Sequence, residues 1–258
     1  MSVLSKFSLA GKVAVVTGGY GHLGKSISRG LAEAGAKVVV AGKDKSKFDQ
    51  AFSQEDKNIS FVEIDISSAK SVKKCLEQVK ADLGRIDVLV NNAYFGTRSG
   101  LTEVTDKEWL DGMDGTINGV FRCTQVVIPL MSPDGGSIIN ISSMYGVVSP
   151  DPSIYGTSRV NNPPSYGAGK AAIIQFTKYA ACHLPDKNIR VNSISPGSFP
   201  QKEVQDNHEF MSNLTKKIPL GRIGRPDELQ GAVVFLASDA SSYVTGHNLI
   251  VDGGWTAW

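Results

Sequence analysis

The chain has 258 residues, 41% of them hydrophobic and 20% charged, and a formal net charge of +2 at pH 7. This composition is ordinary for a soluble globular protein, and so small a charge gives no electrostatic case for a nucleic-acid or membrane partner. Cys75, Cys123 and Cys182 fit neither a disulfide framework nor a zinc site, and the histidines lack metal-ligand spacing. We find no signal-peptide pattern and no apolar stretch long enough to cross a bilayer, so we expect a cytoplasmic protein.

Apolar, β-branched runs alternate with helix-period segments along the chain. They predict strands at residues 12–19, 37–43, 59–65, 86–93, 136–143, 188–197 and 247–254. The first helix is predicted over residues 24–36. Strands that are apolar at nearly every position are expected when helices cover both faces of a parallel sheet. The pattern therefore predicts an α/β fold with a doubly wound parallel sheet, as a single domain over residues 1–258.

A glycine-rich turn follows the first predicted strand. It contains Gly18, Gly19, Gly21 and Gly24 and leads into the first predicted helix. Backbone N–H groups at such a helix N-terminus can face a pyrophosphate. The alternative is a plain tight turn, but the position after the first strand of an α/β chain favours dinucleotide binding.

The end of the second predicted strand bears on which dinucleotide binds. An acidic residue there hydrogen-bonds a free ribose 2′-OH and repels a 2′-phosphate. This chain has Gly42 followed by Lys43, and the nearest acid is Asp44. A small residue followed by a cation suits a 2′-phosphate, so NADP(H) is favoured and NAD(H) stays possible, with Lys43 then a solvated loop residue. We expect Asp65 to bond the adenine amino group and Asn92 to line the cofactor cleft.

Several short motifs follow one another over nearly the whole chain: TGGYGHLG, EIDIS, NNA, INISS, YGAGK, VNSISPG and YVTGHNLIVDGG. Together they resemble the short-chain dehydrogenase/reductase family, single-domain type. The resemblance implies a Rossmann-type, three-layer α/β/α fold, a nicotinamide cofactor, a Ser-Tyr-Lys site and a homotetramer or homodimer. The ending DGGWTAW and residues 219–246 are similar to members that act on sugars, polyols or sugar acids, gluconate 5-dehydrogenase-like enzymes among them.

The matching motifs imply site residues in this chain. The implied catalytic residues are Ser143, Tyr166 and Lys170. The residues expected to bind the cofactor are Gly18, Tyr20, Gly21, His22, Leu23, Gly24, Lys43, Asp65, Ile66, Asn92, Ala93, Tyr166, Lys170, Gly197 and Phe199. The other expected partner is a small-molecule substrate, and no metal is expected.

The chain also departs from the family pattern. His22 stands where the family has the middle glycine of its turn. Thr116 stands at the place of the active-site asparagine, and Asn118 lies roughly 200° further round a helix, so it should not face the same site. If the site needs a backbone carbonyl here, Thr116 supplies it; if it needs the side chain, the proton relay is altered. Phe199 and Gln201 occupy a segment that often carries a threonine for the nicotinamide amide.

Two tyrosines each precede a cation by four residues, Tyr155 with Arg159 and Tyr166 with Lys170. A free tyrosine has a pKa of ~10, too high for a base near neutrality, and a lysine one helical turn away favours the phenolate and lowers that pKa. Prolines on both sides exclude a long helix through Tyr155, and arginine cannot shuttle protons. We therefore predict Tyr166 and Lys170 as the catalytic pair, with Ser143 bonding the substrate oxygen.

Counting from Ser143 places the catalytic tyrosine near Tyr155, whereas counting from the following helix places it at Tyr166. An insertion over residues 149–162, near the active site, accounts for the difference, and such loops carry specificity. Tyr155 then either packs near the site or contacts substrate. A second irregular segment, residues 198–226, is expected to be a substrate-binding loop region. Inserted residues able to bond hydroxyls or an acid group are Ser158, Arg159, Asn161 and Asn162.

The main hypothesis is an NAD(P)-dependent oxidoreductase that interconverts a secondary alcohol and a ketone, on a sugar, polyol or sugar-acid type substrate. One alternative is a 3-oxoacyl thioester reductase, which would want a basic docking patch that we do not locate in the sequence. Another is a non-catalytic dinucleotide-sensing protein. The intact Ser143, Tyr166 and Lys170 argue against the sensing protein, whereas Thr116 and Gln201 keep it open.

Overall fold

One parallel sheet organises the computed structural model, which describes residues 2–53, 56–156 and 162–258. The strands are β1 (Val13–Thr17), β2 (Lys37–Gly42), β3 (Ile59–Glu63), β4 (Val88–Asn91), β5 (Gly136–Ile141), β6 (Ile189–Pro196) and β7 (Asn248–Val251). Within the described residues they form a 7-stranded sheet in the order β3-β2-β1-β4-β5-β6-β7. Each predicted strand is therefore confirmed, and so is the doubly wound order, which changes direction between β1 and β4.

Helices cover both faces of this sheet. They are α1 (His22–Glu33), α2 (Lys45–Ala51), α3 (Ala69–Leu83), α4 (Asp106–Met113), α5 (Gly119–Val127), α6 (Pro164–His183), α7 (Lys202–Gln205), α8 (His208–Lys216) and α9 (Gln230–Ala237). Because side chains alternate along a strand, Val13 and Val15 of β1 join the core with α3, α5 and α6, whereas Ala14 and Val16 join the core with α1 and α9. The predicted three-layer α/β/α fold is confirmed.

Residues 198–226 are more regular than the sequence predicts. The expectation of an irregular segment is wrong for α7 and α8. The side chain of Asn207 accepts a hydrogen bond from the Phe210 backbone N–H at 3.1 Å and so caps α8, while Leu214 on the inner face of that helix is buried. A short capped helix of this kind leaves little periodicity for a sequence pattern to reveal.

A third apolar cluster lies apart from the two faces of the sheet. Its buried members are Met144, Ile154, Leu214, Ile218 and Trp255. They join the segment after β5, a 3₁₀ turn over Pro152–Tyr155, α8 and the C-terminal turn. The cluster therefore places the turn over Pro152–Tyr155 beside α8.

Across the described ranges, no helix combines the length and apolarity needed to cross a bilayer. The same ranges hold no group of three or more His, Cys, Asp or Glu side chains that could bind a metal ion. Cys75 and Cys123 are buried free thiols, and Cys182 is an exposed one.

Candidate active site

A cavity of about 1110 Å³ lies at the carboxyl ends of the strands. This is where ligands bind in open parallel sheets, because the strand order reverses there. Most residues expected at the site line this cavity. They are Gly18, Tyr20, Gly21, His22, Leu23, Gly24, Lys43, Ile66, Asn92, Ala93, Ser143, Tyr166, Lys170, Gly197 and Phe199. Asp65 does not line it, although Asp65 contacts Lys43, which does.

The glycine turn is shaped as a cradle. Gly18 has a φ of +62°, a conformation that favours glycine, and a Cβ on Gly24 would lie 2.2 Å from the Gly18 carbonyl oxygen. Gly21 is the N-cap of α1, so the free N–H groups of the first helical turn face the cavity. The turn fits a pyrophosphate, and the cavity is large enough for a dinucleotide.

Asn92 braces this turn from β4. Its side-chain amide donates to the carbonyl oxygens of Thr17 and Gly18, both at 3.0 Å. The Thr17 hydroxyl in turn accepts hydrogen bonds from the backbone N–H groups of Asn92 and Ala93. The amide of Asn92 thus holds the turn in shape.

The other end of the cavity carries the residues expected around adenosine. The Tyr20 hydroxyl accepts a hydrogen bond from the Asp44 backbone N–H at 3.2 Å, and the Tyr20 ring fills the space next to Gly42. Lys43 Nζ lies 2.9 Å from an Asp65 carboxylate oxygen and 5.5 Å from the centroid of the Phe95 ring. Asp65, which was expected to bond the adenine amino group, is therefore paired with Lys43 in this structure.

Burial and hydrogen bonding shift the pKa of Asp65 in opposite directions. Partial desolvation raises the pKa of Asp65, but hydrogen bonds from Ser67 and Lys43 outweigh it and hold that pKa below its ordinary value. Asp65 is therefore an anion paired with Lys43.

Ser143, Tyr166 and Lys170 meet at the remaining end of the cavity. Ser143 follows β5 and lines the cavity together with Tyr166, which lies in the first turn of α6. Lys170 Nζ donates to the Ile141 carbonyl oxygen at 2.8 Å, and the Ser142 hydroxyl donates to the Lys170 carbonyl oxygen at 2.7 Å. These bonds fasten α6 to the end of β5, so the three predicted catalytic side chains share one buried site.

The electrostatics of the pair differ from the expectation. Burial raises the pKa of Tyr166, the nearby Tyr155 adds to the rise, and the Ser143 hydrogen bond only partly offsets it. Burial also lowers the pKa of Lys170 to about 8. Lys170 Nζ lies 5.6 Å from the centroid of the Tyr166 ring and is directed at Ile141. The pKa of Tyr166 is therefore raised overall rather than lowered as expected, because desolvation outweighs the groups that favour the phenolate.

Thr116 lies in a one-turn π-helix over Asp114–Asn118 that interrupts the run from α4 to α5. Its side chain is buried, and its hydroxyl donates to the Gly112 carbonyl oxygen at 2.8 Å. Asn118 is exposed and bonds the Asp114 carboxylate, which agrees with the expectation that it faces away from the site. A π-turn of this kind is frequent at functional sites.

Tyr155 packs beside the predicted catalytic residues. Its ring stacks on Phe210 of α8 with centroids 5.7 Å apart. Asn162 donates its side-chain amide to the Tyr155 hydroxyl at 2.5 Å, and Tyr155 and Tyr145 pack against the same apolar cluster. Burial, Tyr155 and other neighbouring groups raise the pKa of Tyr145. Of the polar residues expected to contact substrate in the insertion, Ser158, Arg159 and Asn161 lie outside the described residues.

Two aromatic residues of the site escaped sequence reasoning. Tyr94 meets the Tyr166 ring edge-on with centroids 5.1 Å apart, and Phe95 lies under Lys43. Both line the cavity. The available signal was their position directly after the NNA motif, at the end of a strand that points into the cleft.

Known proteins match this chain over nearly its whole length. A family model described as Enoyl-(Acyl carrier protein) reductase matches residues 21–256. The 2-dehydro-3-deoxy-D-gluconate 5-dehydrogenase of Escherichia coli (strain K12) is 36% identical over 262 residues, with 99% of each chain covered. A 3-oxoacyl-acyl-carrier-protein reductase of Thermotoga maritima is 35% identical over 251 residues, covering 95% of this chain and 98% of that protein. A solved gluconate 5-dehydrogenase from Burkholderia cenocepacia, in complex with NADP and tartrate, has a TM-score of 0.89, 32% identity and 100% coverage of both chains.

The names of these relatives differ in substrate, but the match extends from the glycine turn to the C-terminal turn. Sequence motifs, sheet order and the dinucleotide-sized cleft agree with that match. The chain belongs to the short-chain dehydrogenase/reductase family and is an NAD(P)-dependent oxidoreductase that interconverts a secondary alcohol and a ketone.

Proposed function

We propose that this oxidoreductase acts on a sugar-acid type substrate through Ser143, Tyr166 and Lys170. The observation that carries the proposal is that Ser143, Tyr166 and Lys170 line one end of a dinucleotide-sized cavity, with Lys170 Nζ 5.6 Å from the centroid of the Tyr166 ring. The Escherichia coli and Burkholderia relatives, both named as 5-dehydrogenases of gluconate compounds, support the substrate class.

Tyr166 carries the proton at the substrate oxygen. Bound nicotinamide supplies or accepts the hydride. In the direction of reduction, the Tyr166 hydroxyl donates its proton to the carbonyl oxygen, and in oxidation the phenolate removes it. Ser143 donates a hydrogen bond to the same oxygen and stabilises its developing negative charge. The raised pKa of Tyr166 keeps its proton in place near neutral pH, which suits the role of acid.

Lys170 holds positive charge under this site. Its Nζ atom is fixed by the Ile141 carbonyl oxygen and lies 5.6 Å from the centroid of the Tyr166 ring. Its charged form stabilises the phenolate that remains after proton transfer. With a pKa of about 8, the lysine is mostly charged at neutral pH and loses that charge in mild alkali.

NADP(H) is the preferred cofactor in this proposal. Lys43, Lys45, Ser46 and Lys47 line the adenosine end of the cavity and offer cations and a hydroxyl to a 2′-phosphate. The Burkholderia relative was crystallised with NADP. The test is a fluorescence titration of NADPH and NADH with the wild type and Lys43→Ala. We expect wild type to bind NADPH more tightly and Lys43→Ala to lose about tenfold in NADPH affinity, the effect of one charge-assisted hydrogen bond, with NADH little changed. Tighter binding of NADH by the wild type would overturn the preference.

The proposal includes a homo-oligomer, a tetramer or a dimer. Exposed apolar side chains gather on α4, α5 and α6, namely Trp109, Leu110, Phe121 and Tyr179. Phe121 of α5 contacts Phe176 of α6 with ring centroids 6.1 Å apart, so α5 and α6 share one aromatic surface. Sedimentation equilibrium should give a mass of two or four chains, and a monomer at micromolar concentration would contradict this part of the proposal.

Activity assays test the reaction itself. Cofactor oxidation is measured with keto-sugars, keto-acids related to gluconate, and 3-oxoacyl thioesters. We expect turnover of a gluconate-type keto-acid, and a loss of at least about 100-fold in kcat for Tyr166→Phe, because the general acid is removed. Tyr243→Phe, at an exposed position, is the matched control. Activity surviving Tyr166→Phe would refute the assigned acid. Turnover of thioesters alone would instead favour the reaction of the Thermotoga relative.

A further inference from the structure

A hydrogen bond joins two walls of the cofactor cleft. His22 is the first residue of α1, and its Nε2 atom lies 3.0 Å from the carbonyl oxygen of Phe199. Phe199 follows β6, which ends at Pro196. In the sheet, β4 and β5 lie between β1 and β6. The imidazole therefore connects the glycine turn, which follows β1, to the segment that follows β6, although these two strands are not neighbours in the sheet.

The chemistry of this contact defines the donor. A backbone carbonyl can only accept, so Nε2 must carry the hydrogen. The neutral Nε2–H tautomer and the protonated ring both satisfy this condition. Both forms of the ring can therefore donate this hydrogen bond.

The Phe199 end of the contact is itself anchored. The Phe199 ring fills the space beside Gly224, where an added Cβ would lie 2.3 Å from a ring carbon. The Gly224 backbone N–H donates to the Ser198 carbonyl oxygen at 2.9 Å. Movement of Phe199 away from His22 would therefore disturb the turn at Gly224 as well.

The same region returns to α1 further along the chain. The side-chain amide of Gln230, the first residue of α9, donates to the Ser26 carbonyl oxygen at 3.3 Å. Carbon atoms of Gln230 lie within 2.8 Å of the position of a Cβ on Gly30, so the two helices are in close contact there. The chain from β6 to α9 is thus attached to α1 at both ends, by His22 beside the cleft and by Gln230 behind it.

We propose that His22 is a positioning residue that holds residues 197–201 against the glycine turn before the cofactor binds. Gly197, Phe199 and Gln201 line the cavity opposite the glycine turn, so this contact sets the distance between two surfaces that the cofactor must touch. Because residues 197–201 are already in position, cofactor binding costs less conformational entropy. This inference rests on the proposed cofactor site.

Hydrogen exchange of the cofactor-free protein tests the contact directly. In His22→Ala, we expect the amide of Gly224, which donates to the Ser198 carbonyl oxygen, to exchange about fivefold faster, the effect of one lost hydrogen bond. His22→Gln should restore protection, because its amide N–H can donate to the same carbonyl. The matched control is His183→Ala, since His183 also contacts a backbone carbonyl, that of Tyr179, but within its own helix. That variant should leave exchange at Gly224 as in the wild type.

The second readout is NADPH binding followed by fluorescence. His22→Ala should weaken NADPH binding about fivefold through faster dissociation, and His22→Gln should bind close to the wild type. Unchanged exchange in cofactor-free His22→Ala would overturn the proposal even if affinity fell, because the ring would then act on the cofactor alone. If His22→Ala does not fold, His22→Asn replaces it, since the shorter amide does not reach Phe199. Failure of the wild type to bind either dinucleotide would overturn the proposed function, and the exchange result would stand apart from it.

Discussion

Lys170 Nζ donates a hydrogen bond to the Ile141 carbonyl oxygen at 2.8 Å, which fixes the only charge of the predicted catalytic residues to the end of β5. The lysine is 5% exposed, and burial lowers its pKa to about 8. Burial also raises the pKa of Tyr166. The site therefore disfavours the charged form of both groups, and stabilising interactions must be present when the phenolate forms.

Replacing Lys170 by methionine should flatten the dependence of stability on pH in mild alkali. The pKa of Lys170 falls from 10.5 to about 8 on folding, so between these values the unfolded chain binds more protons than the folded one. The free energy of unfolding of the wild type should therefore rise between pH 8 and pH 10, by up to about 2 kcal/mol from this group. Urea unfolding at several pH values measures the slope.

The control for this prediction is Lys178→Met, at an exposed position of the same helix. It should keep the slope of the wild type, whereas Lys170→Met should lose the rise. Equal slopes in the wild type and Lys170→Met would contradict the assignment of this titration to Lys170.

Gly169 should not tolerate one added methyl group. A Cβ at this position would lie 2.0 Å from the Thr116 hydroxyl oxygen and 2.6 Å from the Thr116 Cβ. Gly169→Ala must therefore move α6, which carries Tyr166 and Lys170, away from the π-turn. We expect a loss of about 1–3 kcal/mol in the free energy of unfolding and a lower kcat. Denaturant unfolding and steady-state assays measure the two effects.

Gly231→Ala is the matched control within α9. An added Cβ there meets no atom within 4 Å, so the variant should be as stable as the wild type or gain up to about 1 kcal/mol from helix propensity. If Gly169→Ala were as stable and as active as Gly231→Ala, the close packing of Thr116 on α6 would contribute to neither stability nor activity.

Features with a local pattern could be predicted from the sequence. Buried parallel strands leave nearly continuous β-branched runs, so these runs predict all seven strands of the described residues. The glycine turn is likewise visible as closely spaced residues, and Tyr166 and Lys170 are separated by one helical turn.

Features that depend on residues far apart in the chain could not be predicted. The sequence predicts separate roles for Lys43 and Asp65 in cofactor binding, but in the structure the two side chains form an ion pair. The direction of the pKa shift of Tyr166 depends on how deeply folding buries its phenol. The contact of His22 with Phe199 joins two departures from the family pattern that look unrelated in the sequence.

Asp65→Asn should increase the preference for NADP(H) over NAD(H). The carboxylate holds Lys43 at 2.9 Å, so its removal frees the lysine for a 2′-phosphate and removes a negative charge nearby. Any lost bond to adenine weakens both cofactors equally, so the ratio of the two dissociation constants isolates the charge effect. We expect that ratio to shift about threefold toward NADPH, as for a partly exposed ion pair, and less at high salt.

Titration of both cofactors at two salt concentrations measures this shift. Asp111→Asn, which removes the partner of Lys107 on α4, is the control and should leave the ratio unchanged. A shift toward NADH in Asp65→Asn would contradict a phosphate-binding role for Lys43.

Separating Tyr155 from Phe210 should weaken substrate binding and leave cofactor binding intact. The stack, with planes 25° apart, ties the turn over Pro152–Tyr155 to α8 beside the predicted catalytic residues, whereas the adenosine end of the cavity is formed by Tyr20 and the segments that follow β2, β3 and β4. An aromatic pair contributes about 0.5–1.5 kcal/mol, so Tyr155→Ala should raise the KM of the best keto substrate by about two- to tenfold.

Phe210→Ala should have a similar effect, and the double variant should be little worse than either, because both remove one contact. Tyr155→Phe keeps the ring and separates its packing from the hydroxyl that Asn162 contacts. Steady-state kinetics and NADPH titration check this split, and a loss of cofactor affinity as large as the rise in KM would contradict it.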